Sequence, residues 1–304
     1  VIRELRTFVA VAGLGSFSAA ARQVSLTQAA VSAQMKSLED ALGMQLFDRT
    51  AKSVSLNANG QRVLPLAEEM LELYARMCLP ETLEGYRGAL NIGAIGTVQT
   101  GVLPETLRRL KEAAPLMEAR LIPGVSLDLV GQVEAGDLDL ALIIKPPFPL
   151  AKEMHMESVL EEPFVLIHPP GTQVDCIAQT LVRHPFIRYD SKSFGGRLVG
   201  RFLKDRKLQV NQVMELDDLD AIVRMVETGL GVAIIPFAGI WSRGGTTARV
   251  HPLGELAFTR EIVLVCRYAN KALPQVELFR KVIHPSAHSY VEEMANNLKS
   301  KLRA

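Results

Sequence analysis

Residues 16–50, SFSAAARQVSLTQAAVSAQMKSLEDALGMQLFDRT, limit what this chain can fold into more than any other stretch. Val31, Met35, Leu38 and Leu42 recur at i, i+4, i+7 and i+11, which puts them on one face of a helix expected over residues 28–42. Ala20, Ala21 and Val24 give the preceding helix a narrow face of small residues on which that seam can pack. Ser18 and Thr27 stand where two N-caps are needed, each just ahead of an apolar-periodic run. Opposite the seam lie Ala29, Ser32, Ala33 and Lys36, short side chains and one cation that allow close approach to a duplex. Residues 45–50 and 53–56 read as two strands of a wing around Ala51 and Lys52. The layout is that of a winged helix-turn-helix, which sets one helix in the major groove of DNA.

On that layout Gln28 and Ser32 are the candidates for base edges, because they lie in the first turns of the recognition helix. Lys36, Arg49, Thr50, Lys52 and Ser53 are better placed for phosphates, and Thr27 and Ala29 complete the surface. Charge merely permits this reading. Residues 1–62 carry a net charge of +3 in a chain whose total is +1.

A first helix is expected over residues 2–12, with Leu5, Phe8, Val9 and Ala12 on one face. After the wing, Asn57 caps a long helix over about residues 58–77. Its Val63, Leu66, Met70, Tyr74 and Met77 recur every three or four residues, the pattern of a two-helix seam, with Pro65 as a local kink. Residues 79–88 hold Pro80, Gly85 and Gly88 and read as a hinge. From Ala89 onward short apolar strands alternate with helices of about a dozen residues, which implies βαβ units and a largely parallel sheet. Strands are expected at 118–122, 138–144, 163–171, 185–189, 232–236 and 261–266. Helices are expected at 100–113, 126–135, 197–207 and 219–228, with a helical tail from Leu273 that Pro285 interrupts.

Specific motifs carry a family resemblance. TQ-x-AVS (Thr27, Gln28, Ala30, Val31, Ser32), Leu38–Glu39, Gly43 and LFDR at residues 46–49 resemble the DNA-binding domain of the LysR-type transcriptional regulators. Ala29 departs from the proline common there, a benign change in a first helical turn. GALNIG at 88–93, Pro104, GDLDLAL at 136–142 and ETGLGVAIIP at 227–236 are similar to the effector domain of the same family. The resemblance implies an α/β chain with an N-terminal winged helix-turn-helix and a two-lobed effector domain like type 2 periplasmic binding proteins. The expected division is residues 1–57 for DNA binding, 58–87 for a dimerisation helix and hinge, and 88–304 for the effector domain. Lobe I is expected at about 88–162 plus 268–304 and lobe II at about 163–267, with crossings near 161–164 and 266–270.

Family members hold small effectors in loops between the lobes, and the matching positions here are polar. Thr97, Gln99 and Thr100 follow the first strand, Val125 and Ser126 the second, and Ser191, Ser193 and Phe194 face them from the other lobe. Hydroxyls at helix starts suit an anionic group, so a small carboxylate or amino-acid-like effector is expected. Lys145 ends a strand beside the cleft, where it would meet a carboxylate or else lie on the surface. The resemblance further implies double-stranded DNA as partner, a homodimer through the linker helix, and a homotetramer of two such dimers.

Nothing points to catalysis. GxSxG, GxxxxGK[ST] and HExxH are absent, and the Gly229/Gly231 pair lacks the third glycine of a dinucleotide loop. His284 and His288 lie four apart, but Pro285 between them spoils a metal pair, so neither metal nor cofactor is expected. Cys176 and Cys266 would form a redox switch if the chain followed the peroxide-sensing branch of the family, although Cys266 sits in an apolar strand and reads as core. Three widely spaced cysteines, no apolar run of membrane length and no leader pattern lead to the expectation of a reduced, cytoplasmic protein. The chain opens at Val1 without an initiator Met, which reads as the loss of a residue or two ahead of it. The competing reading is a cytoplasmic solute-binding or catalytic α/β protein with an appended helix-turn-helix.

Overall fold

Each helix at the start of the chain begins and ends where local chemistry requires. The computed structural model describes residues 1–24, 26–49, 54–78, 86–242 and 246–301. Helix α1 (Ile2–Leu14) ends at Gly15, whose φ of 60° needs a residue without a Cβ. Helix α2 (Phe17–Gln23) is capped by Ser16, whose Oγ accepts a hydrogen bond from the Ala19 N–H at 3.3 Å. The expected cap, Ser18, lies two residues too late, inside the helix. Its hydroxyl sits 3.0 Å from that of Ser16. Helix α3 (Gln28–Leu42) has the expected bounds, with Thr27 Oγ1 accepting from the Ala30 N–H at 3.2 Å and Gly43 closing it at φ 67°.

The seam packs as its spacing predicts through Val31, Met35 and Leu38, all buried with Phe8, Val11, Ala20, Ala21, Leu46 and Phe47. Leu42 is the exception and is 39% exposed. Burial of Glu39 replaces it: the carboxylate accepts the Leu46 N–H at 2.8 Å and ties the end of α3 to the wing. The wing is a short antiparallel pair, β1 (Phe47–Arg49) and β2 (Val54–Leu56), and its expected tip, Thr50 to Ser53, lies outside the described residues.

Helix α4 (Ala58–Cys78) starts at Asn57, whose Oδ1 accepts the Gly60 N–H at 2.9 Å. Gly60 has to be glycine, since a Cβ there would lie 2.1 Å from the Leu46 carbonyl oxygen. The helix runs on through Pro65. Leu66, Met70 and Tyr74 stay exposed at i, i+4 and i+8, while Val63 turns toward its own unit. The side chain of Met77 and residues 79–85 of the hinge expected over 79–88 lie outside the described residues. The chain divides into two units, Val1–Thr82 and Leu83–Ala304.

The second unit is built on β3 (Ala89–Ala94). Parallel to it lie β4 (Glu118–Pro123), reached through α5 (Gly96–Thr100) and α6 (Leu103–Ala113), and β5 (Leu140–Ile144), reached through α7 (Ser126–Ala135). The helix expected over 100–113 is therefore two. The break falls at Gly101, where a Cβ would meet the Thr97 carbonyl at 2.8 Å and the Tyr290 ring.

The next strand, β6 (Met154–His168), is 15 residues long. It begins well before the expected residue 163 and belongs to both lobes. There follow α8 (Ile177–Arg183), β7 (Pro185–Tyr189), α9 (Phe194–Asp205), β8 (Asn211–Leu216), α10 (Leu219–Glu227), β9 (Ala233–Pro236) and β10 (Arg249–Pro252). The far end of β6 pairs antiparallel with β9 and β10, while β7 and β8 form a parallel pair joined to Val232 by one bridge. The near end of β6 pairs with β11 (Thr259–Arg267), which also pairs antiparallel with β5. The sheet is thus mixed, because the strand that returns to the first lobe runs against its neighbours. The return itself lies at residues 253–258, ahead of β11, and not at the expected 266–270.

Helix α11 (Pro274–Lys301) closes the unit against α6 and β6. It passes unbroken through Pro285, since Ile283, Ala287, Tyr290 and Met294 are buried on either side and hold the helix despite one lost backbone bond. Where α11 crosses β6, Arg280 donates from Nε and Nη2 to the Glu157 carboxylate at 2.6–3.0 Å, and His155 and His284 approach it at 3.5 and 3.7 Å. Burial alone would raise the Glu157 pKa, but the neighbouring His155 and the hydrogen-bonded Arg280 outweigh it and hold the carboxyl at about 2, below its ordinary 4.5. A folded-state pKa below the unfolded value contributes stability that is complete above pH 4.5 and is lost as pH falls toward 2. Acid unfolding of Glu157→Gln is therefore expected to be flatter than wild type across that window. Superimposable acid limbs, read by fluorescence, would show that Glu157 contributes nothing.

Candidate functional site

Two surfaces, one in each unit, gather the residues singled out by sequence. On α3, Gln28, Ala29, Ala33 and Lys36 are exposed and Ser32 is half-buried, so the face opposite the seam is open along its first two and a half turns. Thr27 holds the start of that helix through its cap. Arg49 ends β1, with its side chain outside the description, and Thr50, Lys52 and Ser53 lie outside the described residues.

In the second unit a cleft of about 650 Å³ opens between the two lobes, at the carboxyl ends of β3, β4 and β7. Thr97, Gln99, Thr100, Val125 and Ser126 line one wall, and Ser193 and Phe194 the other. The residues after β3 do not lead into a helix but form the short α5 themselves. Gln99 donates to the Ala94 carbonyl at 2.7 Å, and Thr100 donates back to Gly96 and Thr97. Ser126 is buried, and its Oγ accepts the Ile144 N–H at 3.2 Å, which pins the start of α7 to β5. The cap position of α7, Val125, supplies no side-chain hydrogen bond to that helix start. Across the cleft Ser193 caps α9, accepting from the Gly196 N–H at 3.0 Å and donating to the Asp190 carbonyl at 2.9 Å.

Two expected members are directed elsewhere. The Lys145 ammonium lies 2.6 Å from the Glu261 carboxylate and is not part of the lining. Ser191 donates from its hydroxyl and its N–H to Glu215, whose pKa these bonds lower to about 2.

Sequence reasoning missed the group at the base of the cleft. Arg260 lines it and is 1% exposed. Its Nε donates to Glu162 Oε2 at 2.7 Å, and its Nη2 lies 2.6 Å from the same oxygen and donates to Thr97 Oγ1 at 2.7 Å. Burial disfavours the guanidinium, but the Glu162 carboxylate beside it prevails and keeps Arg260 cationic. Its Nη1 is buried and has no hydrogen-bond partner among the described residues. Tyr290, its pKa raised first by burial and then by Glu162, completes the group with its hydroxyl 3.4 Å from Glu162 Oε1. Arg260 and Glu162 are opposite one another in the β11–β6 register. The available signal was a pair of complementary charges, each leading into an apolar strand.

Cys266 is fully buried in β11, and burial pushes its thiol up to about 11, which suits a core residue and not a reactive thiolate. Among the described residues no His, Cys, Asp and Glu cluster could hold a metal, and no helix is long and apolar enough to cross a membrane.

Comparison with known proteins decides the family. Residues 2–61 match the bacterial regulatory helix-turn-helix of the lysR family, and residues 83–287 match the LysR substrate binding domain. The chain belongs to the LysR family. Among curated LysR relatives, it is 31% identical over 246 residues to the transcriptional regulator IlvR of Caulobacter vibrioides, covering 77% of this chain and 82% of that protein. It is 27% identical over 289 residues to a probable nitrogen assimilation transcriptional activator of Synechococcus elongatus, covering 92% and 93%. A mutant OxyR of Corynebacterium glutamicum shares the fold with a TM-score of 0.60 at 22% identity, covering 97% of this chain and 95% of that one. The LysR family regulator CbnR does so with a TM-score of 0.55 at 22% identity, covering 93% and 99%. The chain is therefore a LysR-type transcriptional regulator with an effector-binding domain, and its relatives are regulators rather than enzymes. The matches span both units, so the helix-turn-helix is an integral part of the family and not an appendage.

Proposed function

We propose that this regulator controls transcription in the cytoplasm by sensing a small carboxylate or amino-acid-like metabolite in the cleft of its second unit. The observation that carries the reading is Arg260, a buried cation at the cleft base with one unpartnered nitrogen. The start of α7, which no side chain caps, supports it by leaving first-turn amides open to an anion. The ligand acts as a population shift. It favours one closure of the lobes, which alters the arrangement of subunits and so the engagement of half-sites on bent DNA. Residues 58–87 form the dimerisation segment, where Leu66, Met70 and Tyr74 offer an exposed stripe to a second copy, and two dimers join into a homotetramer.

On DNA, Gln28 and Ser32 read base edges, while Lys36, Arg49, Thr50, Lys52 and Ser53 meet phosphates. Fluorescence anisotropy on duplexes from upstream of its own gene tests the assignment. Gln28→Ala is expected to cost about 1–3 kcal/mol of discrimination between cognate and random DNA. Lys36→Ala is expected to weaken both duplexes alike and to reduce the salt slope by about 1. A wild-type protein with no salt-sensitive preference for any upstream duplex would overturn the DNA reading.

A further inference from the structure

The charge of the cleft does not match a plain anion. Among the described residues, five aspartates line it against two cations, Lys192 and Arg260, and Arg260 is already paired with the buried Glu162. Three of the aspartates serve helix starts. Asp128 lies in the first turn of α7, Asp220 in that of α10, and Asp218 caps α10 by accepting the Ala221 N–H at 2.8 Å. Asp190 and Asp217 are left, both on the second lobe. Asp190 accepts the Lys192 N–H at 3.0 Å, and among the described residues no cation pairs with either carboxylate. Desolvation and then the neighbouring Asp190 charge raise the Asp217 pKa, and these outweigh the opposing hydrogen bond from Ser193 and the charge of Arg260. The cleft thus has a buried guanidinium with one unpartnered nitrogen at its base and, on one wall, two carboxylates that no ion pair among the described residues neutralises.

We propose that the effector is a zwitterion of the amino-acid class, its carboxylate held at Arg260 and the α7 start and its ammonium held by Asp190 and Asp217. This rests on the carboxylate reading of the cleft and narrows it. A monoanion without the amine meets the acidic wall with nothing to neutralise it. An amine without the carboxylate leaves the Arg260 nitrogen unpartnered. Only a ligand with both charges satisfies both sides, and a hydrogen bond to a charged group is strong enough for each missing charge to cost about tenfold in affinity.

Calorimetry on the full-length protein tests this with three matched series and one outside set. The series are the proteinogenic amino acids, the corresponding acids lacking the amine, and the corresponding amines lacking the carboxylate. The outside set comprises aromatic acids and dicarboxylates. The expected result is that at least one amino acid binds, with both of its truncated analogues weaker by about tenfold or more. Asp217→Asn and Asp190→Asn, whose ligand-free melting serves as the folding control, are expected to remove the preference over the deaminated acid while leaving that acid's own affinity unchanged or improved. Deaminated or other simple carboxylates that bind as tightly as any amino acid would overturn the zwitterion and leave the carboxylate reading standing. Amines that bind as tightly as amino acids, or no binding anywhere in the panel, would overturn both.

Discussion

Arg260→Met is expected to destabilise the effector-binding unit by about 3–5 kcal/mol, because it strands the Glu162 carboxylate in a buried site. Removing one partner of a buried pair costs far more than removing both, so the double replacement of Arg260 by Met and Glu162 by Leu should recover much of the loss. For a unit of this size a loss of that order lowers Tm by roughly 6–20 °C, which differential scanning calorimetry resolves. The double variant also separates structure from sensing. It should fold, yet it has no guanidinium at the cleft base and should no longer gain stability from any carboxylate. A single variant as stable as wild type, or a double variant no better than the single, would mean that the pair is not the electrostatic centre of this unit.

Phe8→Ala is the second large effect. Phe8 is wholly buried and meets Phe47 edge-on at 5.6 Å, and Phe47 in turn meets Phe17 at 5.9 Å, so three elements converge on it. A truncation of this kind costs about 3–5 kcal/mol. A unit of this length holds a net stability of only about 4–12 kcal/mol, so the loss takes a large share of it. DNA affinity is expected to fall more than tenfold, while stabilisation by a cleft ligand persists because that ligand's residues all belong to the second unit. Anisotropy and ligand-dependent melting on the same preparation check both halves. A variant that loses the ligand response along with DNA would sink the independence of the two units.

The N-terminal unit was legible because its information is local. The seam Val31, Met35, Leu38 and the cap at Thr27 each rest on residues within a few positions, and both appear as read. Where that local reading failed, at Ser18 and Leu42, a neighbour with better geometry took the role, Ser16 as cap and Glu39 as the tie to the wing. Pro285 was read as an interruption because propensity treats a proline alone, whereas α11 continues through it, as α4 continues through Pro65. The cleft was legible only in part. Loops following parallel strands are predictable places for a ligand, and Thr97, Val125, Ser126, Ser193 and Phe194 meet there. Arg260 was not, because its burial depends on a cross-strand partner 98 residues away, and nothing local distinguishes it from a surface arginine at a strand end.

A single strand, β6, threads both lobes, and this bears on how such a sensor can diversify over evolutionary time. One residue inserted midway along β6 would turn every later side chain to the opposite face, swapping buried for exposed positions where it meets β9 and β10. Insertions there are closed off, so the lobes inherit a fixed spacing. The loops at the strand ends that carry Thr97, Ser126 and Ser193 are under no such restriction. A lineage built on this frame is free to exchange the molecule it recognises while the distance its walls must travel to grip it stays constant.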